Sequence, residues 1–137
     1  MKEAKEYTTR HNGIKETKDE HGRLHSFDDN PSVIHQSGSK YWHKNGKCHR
    51  DDDKPAIIYN NGSEFWYKNG RLHRDNGEPA IIWDNGDEFW YIEDAVLTDN
   101  QIILLKRILA AELKELPWLI NEDPLLNCLI EKRLNEK

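Results

Sequence analysis

The chain has no uninterrupted apolar run of about 18 residues, so no membrane-spanning helix is expected. Cysteine is nearly absent. Cys48 and Cys128 are the two in 137 residues, far apart and in unlike contexts. A disulfide framework is not indicated, which fits a reducing cytosol and leaves two buried free thiols as the expectation. Basic charge is in deficit, with 20 Lys and Arg against 25 Asp and Glu and a net of -5. A surface that binds nucleic acid directly usually carries the opposite excess. Phosphate-cradling glycine loops, Cys-x-x-Cys pairs and nucleophile–base arrangements are also missing. No catalytic residue, metal or cofactor is therefore assigned, and an enzyme is not expected. Met1 to Glu6 is charged with no apolar stretch behind it, so no secretory leader is expected and the cytoplasm is the expected location.

What is present is a repeat. His25, His49 and His73 lie 24 residues apart, as do Pro31, Pro55 and Pro79, Gly38, Gly62 and Gly86, and Trp42, Trp66 and Trp90. Gly22, Gly46 and Gly70 continue the register, and Asp94 takes the next place. Four residue types held at one period mark a repeat architecture. Each unit encodes hairpins. Pro55-Ala56-Ile57-Ile58-Tyr59 is rich in strand formers, and Asn60-Asn61-Gly62 follows. Ser63-Glu64-Phe65-Trp66-Tyr67 comes next, and then Asn69-Gly70. Asn-Gly between such runs suits a type I′ turn, which needs positive φ at both central residues. Units that add to one antiparallel sheet in a constant orientation must each supply an even number of strands. Arg71 to Trp83 is accordingly read as one long strand bent at Asp75 to Pro79, with Asp87 to Tyr91 returning and Asp87 standing in the place of Ser63. Residues 7–24 read as a decayed earlier unit with its turn at Asn12-Gly13.

The period changes near residue 98. Thr98-Asp99-Asn100-Gln101 has the form of a capping box. Ile102, Leu105, Leu109, Leu113 and Leu116 recur at helical spacing, with Ile103 and Ile108 widening the stripe and Pro117 ending it. Asp123-Pro124 opens a second helix with Leu126, Leu129, Ile130 and Leu134 on its apolar side. Covering the end of a strand stack is one role for such helices. Docking a partner or a second copy of the chain is the other. The expected fold is α+β: an antiparallel hairpin stack of about three 24-residue units with a two-helix C-terminal cap. Its parts are residues 1–21, the repeats at 22–94 and the helices at 95–137.

The string Trp-x-x-Asn-Gly-x-x-His-Arg-x-x-x-x-Pro-Ala-Ile-Ile, carried by Trp42 to Ile58 and Trp66 to Ile82, resembles a repeat of uncharacterised proteins from large bacteriophages and giant viruses. It is distantly similar to MORN-type hairpin repeats. The resemblance covers roughly residues 22–94. Relatives carry Asp-Gly-Pro-Ala at the bend, where this chain has Asp53-Lys54-Pro55-Ala56 and Gly77-Glu78-Pro79-Ala80. The resemblance implies a viral accessory protein in a host cytoplasm that binds and disables a host factor, or an antitoxin-like neutralising protein. It brings no catalytic residues.

Candidate sites follow from the columns. His25, His49 and His73 repeat about 10 Å apart if each unit adds two strands, too far for one zinc. They are read as framework, each His and its Arg (Arg50, Arg74) pairing with the acidic bends at Asp51 to Asp53 or Asp75. A metal or small ligand held by the His and Asp columns is the competing reading. Asp84 to Glu88 lacks calcium-loop spacing. Trp42, Trp66 and Trp90 alternate with flanking aromatics, so one set builds the core. The other forms an exposed stripe, unless a twisted sheet buries both. Phe65, Tyr67, Trp83, Phe89 and Tyr91, with Asp51, Asp52 and Asp53, make the candidate partner face. Residues 25–94 carry the whole net of -5, so the expected partner is a protein with a basic or nucleic-acid-binding surface.

Overall fold

The computed structural model describes residues 6–111 and 123–135. Leu113, Leu116 and Pro117 lie outside the described residues, as do the side chains of Cys128 and Leu129. The architecture is an open sheet of antiparallel hairpins with two helices.

The main sheet has eight strands. In chain order they are β1 (Tyr7–His11), β2 (Ile14–Lys18), β3 (Val33–Ile34), β4 (Lys40–Tyr41), β7 (Ile57–Ile58), β8 (Glu64–Phe65), β11 (Ile81–Ile82) and β12 (Glu88–Phe89). Their order in space is the same, and every neighbour is antiparallel. Directly paired residues share a face. One face therefore carries Val33, Tyr41, Ile57, Phe65, Ile81 and Phe89, which are opposite one another in register. The segment before residue 22 joins this sheet through β2, and Asn12-Gly13 turns its hairpin with φ of 49° and 76°.

Three further hairpins stand beside the main sheet: β5 (His43–Lys44) with β6 (Lys47–Cys48), β9 (Tyr67–Lys68) with β10 (Arg71–Leu72), and β13 (Tyr91–Ile92) with β14 (Ala95–Val96). This corrects the expectation of a single bent strand from Arg71 to Trp83. β10 folds back on β9, residues 73–80 form a loop, and only Ile81–Ile82 returns to the main sheet. The loop turns through Asn76 and Gly77, both at positive φ (69° and 72°), where the chain cannot continue a strand. Two strands of each 24-residue stretch still enter the main sheet, so successive stretches keep one orientation.

The tips of these side hairpins are type I′ pairs. Asn45-Gly46 has φ of 52° and 84°, and Asn69-Gly70 has 52° and 83°. In the last hairpin Glu93 and Asp94 hold the same conformation at 50° and 69° without glycine. That is costly for a long side chain.

Helix α1 (Asp99–Ala110) starts on the capping box read from the sequence: Thr98 Oγ1 accepts from the Gln101 N–H at 3.2 Å, and Gln101 Oε1 accepts from the Thr98 N–H at 2.9 Å. The helix is shorter than its apolar period implied. Ala111 is already extended (φ -69°, ψ 146°), and nothing in the local sequence accounts for the stop. Ile103 faces solvent rather than widening the buried stripe. Helix α2 (Pro124–Asn135) opens on Asp123, whose carboxylate accepts from the Leu125 N–H at 2.8 Å. Leu104, Leu105 and Ile108 of α1 and Leu126 and Ile130 of α2 pack with Ile92 and Leu97 into one cluster. The helices thus bury the apolar side of the last hairpin, with Trp90 against the cluster. No helix among the described residues is long and apolar enough to cross a membrane.

Two substitutions test this geometry. A Cβ on Gly77 would lie 2.9 Å from Leu109 Cδ1 at a φ of +72°. Gly77→Ala is expected to cost about 1–2 kcal/mol in urea unfolding. Glu93→Asn, which puts a residue tolerant of positive φ at the tip, is expected to leave stability unchanged or raise it by about 0.5 kcal/mol. The exposed Arg71–Glu93 pair (2.7 Å) that it removes is worth little.

Candidate functional site

The repeated polar residues are best followed by asking where each backbone group of a turn finds its partner. A side-hairpin tip points two N–H groups away from its own hairpin. The first goes to the preceding histidine: Asn45 N–H to His25 Nδ1 (3.1 Å), Asn69 N–H to His49 Nδ1 (2.9 Å) and Glu93 N–H to His73 Nδ1 (3.1 Å). The second goes to a carbonyl of the preceding hairpin: Gly46 to Leu24, Gly70 to Cys48 and Asp94 to Leu72, at 2.8–2.9 Å. Nδ1 must then carry the lone pair and Nε2 the proton. His49 Nε2 and His73 Nε2 each lie 2.8 Å from a carboxylate, of Asp51 and Asp75. The hydrogen bond from His49 holds the Asp51 carboxyl below its usual range. Both imidazoles are buried and satisfied on both nitrogens.

The arginines also reach back one unit, which the sequence reading had placed within the unit's own bend. Arg50 forms a two-point contact with Asp29 (3.0 and 3.1 Å), and Arg74 does so with Asp53 (2.8 and 3.2 Å). Each also donates to the carbonyl of its own bend, Pro55 or Pro79. Each guanidinium lies 3.8 Å over an indole, Trp42 or Trp66, within cation–π range. The indoles donate to the same earlier bends, at Asp29 O and Asp53 O. Arg50 and Lys54 beside Asp29 hold its carboxyl down from 3.8 to about 2.

The third bracket is built differently. Gly77 replaces the aspartate and Thr98 the arginine. Trp90 still donates to Gly77 O (2.9 Å), but the cation over its ring is Lys106 of α1, at 5.6 Å. Gly77 stands where the first two bends carry the arginine-held aspartate, and Leu109 of α1 comes close to it.

The predicted partner face divides in two. Tyr67, Asp51, Asp52 and Asp53 line a shallow groove of about 140 Å³ between successive bends, together with His49 and His73. Its ionisable groups are largely spent on the framework: Asp51 on His49, Asp53 on Arg74, and Asp75 on His73. No group of three or more His, Cys, Asp or Glu among the described residues is placed to hold a metal. Cys48 is free, and burial pushes its thiol up to about 12, far from a reactive thiolate. Tyr91 is half-buried on β13.

Phe65, Trp83 and Phe89 form the other part. Tyr41, Tyr59, Phe65 and Trp83 stack edge to face along the sheet, with centroids 6.1, 5.2 and 5.1 Å apart. Trp42 and Trp66 are buried, and Phe65 is half-buried. Trp83, at 40% exposure, ends this ladder, and Phe89, opposite Ile81 in register, is 41% exposed. Sequence reasoning passed over Tyr59 and the serines. Ser39 Oγ accepts from the Asn60 N–H (3.0 Å) and Ser63 Oγ from the Asp84 N–H (2.9 Å), so each stitches its turn to the next. The third residue of that column is Asp87, exposed beside Phe89 with its backbone N–H on Asn85. The 24-residue spacing of Ser39, Ser63 and Asp87 was the available signal.

Removing an imidazole leaves a turn N–H unpaired, at about 1–3 kcal/mol. His49→Phe and His73→Phe are each expected to lower unfolding stability by about 2 kcal/mol, while Asp52→Asn changes it by less than about 0.5 kcal/mol. Asp29 has a lowered folded-state pKa, so its contribution is complete above about 4 and is lost as pH falls through about 2. Asp29 is half exposed, so the effect is modest. Asp29→Asn should flatten the acid limb of a thermal-melting profile over that window. No family model, curated protein or solved structure matches the chain.

Proposed function

We propose that the chain is a non-enzymatic protein-binding module, with three 24-residue hairpin units and helices that close part of one end. The observation that carries this reading is the open end of the aromatic ladder. Trp83 and Phe89 are both exposed at this end of the sheet, Phe89 opposite Ile81 in register, with the exposed carboxylates of Asp84, Asp87 and Glu88 close by in the same hairpin. Exposed aromatics ringed by charge are the usual make-up of a binding anchor. The carboxylates favour a partner with a basic surface, such as a nucleic-acid-handling protein. In the setting that the viral-repeat resemblance implies, that partner is a host protein in the cytoplasm and binding disables it.

A metal-binding role for the His and Asp columns gains no support, because both nitrogens of His49 and His73 and most of the neighbouring carboxylates are engaged in the framework. Catalysis by Cys48 is likewise unsupported, given its buried thiol.

Affinity capture with the intact chain, followed by titration of the recovered protein, tests the proposal. Saturable binding is expected to weaken at least tenfold on Trp83→Ala or Phe89→Ala, since each anchor is worth about 1.4 kcal/mol or more. It should weaken further between 50 and 500 mM salt, conditions that screen surface charge. Asp51→Asn with Asp52→Asn should change affinity less than either aromatic truncation. Absence of any saturable protein partner would overturn the reading.

A further inference from the structure

We infer that the outer edge of β12 is a docking site for an extended, lysine- or arginine-flanked peptide segment of a partner protein. It adds as a ninth strand in the manner of the chain's own Pro-Ala-Ile-Ile segments. The inference rests on the binding-module reading and gives it a mode.

Three features of the edge point to a strand. First, the ladder is unfinished. At the equivalent place one unit earlier, the Trp66 N–H donates to Ala80 O (2.8 Å), and Phe65 and Glu64 pair with Ile81 and Ile82. At the edge, Trp90 N–H has no partner among the described residues, and β12 pairs on one side only. Second, the side-chain seat is half built. Ile81 lies between Phe65 and Phe89 and is buried, with Trp83 against Phe65. Phe89 has no such aliphatic neighbour on its outer side and is left exposed. Third, the stitch has changed its charge. Ser39 and Ser63 accept an N–H from the next turn, and Asp87 holds that position at the edge. One oxygen of its carboxylate accepts from Asn85 Nδ2 (3.0 Å); a carboxylate has a second oxygen to accept an N–H as serine does, and it also attracts a cation.

Charge selects the occupant. Asp84, Asp87 and Glu88 surround the edge and are exposed. Two copies of this chain joined at β12 would set these carboxylates against each other, which is destabilising. The far edge, β1, offers Tyr7, Thr8, Thr9, Arg10 and His11, with no aliphatic pair to fill the seat. A basic segment with two adjacent β-branched residues meets both requirements. Strand addition gives backbone hydrogen bonds for affinity and alternate side-chain seats for specificity.

The test uses the intact chain and a synthetic peptide, Pro-Ala-Ile-Ile-Trp flanked by two lysines on each side. Fluorescence anisotropy should show saturable binding. Affinity should fall at least tenfold when proline replaces the second isoleucine, which removes an amide hydrogen without touching the charges. It should also fall on Asp87→Lys and on Phe89→Lys. Hydrogen exchange should show the Trp90 amide unprotected in the free chain and protected in the complex. Equal binding of the proline peptide, a Trp90 amide already protected in the free chain, or a dimer that Phe89→Lys dissociates would each overturn the inference. The peptide should also displace a captured protein partner. A partner that stays bound at saturating peptide would overturn the edge mode and leave the binding-module reading standing. Peptide pairing with no protein partner found would support the edge and count against the module reading.

Discussion

The structure depends on an acceptor for the N–H that each side-hairpin tip turns outward. A two-residue tip at positive φ satisfies its own strands but leaves a donor aimed at the neighbouring hairpin. Where that donor is part-buried, as at Asn69 and Glu93, leaving it unpaired costs about 1–3 kcal/mol. His25, His49 and His73 remove that cost by presenting Nδ1 at the right height. Asp51 and Asp75 orient the ring from the other side. The histidines are therefore as much a part of the backbone network as the strands.

Around this thread the bends are tied in the opposite sense. Arg50 and Arg74 reach back to Asp29 and Asp53 while lying on Trp42 and Trp66. One cation thus links a bend, an indole and the preceding bend. The chain relaxes both members together in the last unit, with Gly77 for the aspartate and Thr98 for the arginine, and α1 brings Lys106 over Trp90 instead. The side hairpins end on apolar helix packing, whereas the main sheet ends on Trp83, Phe89 and carboxylates. The two ends thus differ: the side-hairpin end is packed against helices, and the sheet end leaves aromatic and acidic side chains exposed.

Much of the fold was legible because its determinants are local. Asn-Gly pairs call for positive φ, and they form the turns. Thr98 and Gln101 are three apart, and they form the capping box. The framework role of the histidines followed from their period. Other features were not legible because they depend on stacking. Whether Arg74 meets Asp75 or Asp53 is decided by how one unit lies on the last. The loop at 73–80 interrupts what alternation alone reads as a continuous strand. The same holds for exposure: Phe65 and Phe89 are equivalent in sequence, and only the end of the sheet makes Phe89 accessible. Within the expected partner face, nothing in the spacing separated Tyr67 and the Asp51 to Asp53 groove from the Phe65–Trp83 ladder.

The most direct test of this account is the tautomer of His49 and His73, read from their imidazole nitrogen shifts in a long-range ¹H–¹⁵N spectrum of the folded protein at mildly alkaline pH. The account predicts both rings with the proton on Nε2 and an unprotonated Nδ1. Either ring carrying its proton on Nδ1 would contradict it, because the tip amides would then face a donor and the units would have to be joined in some other way.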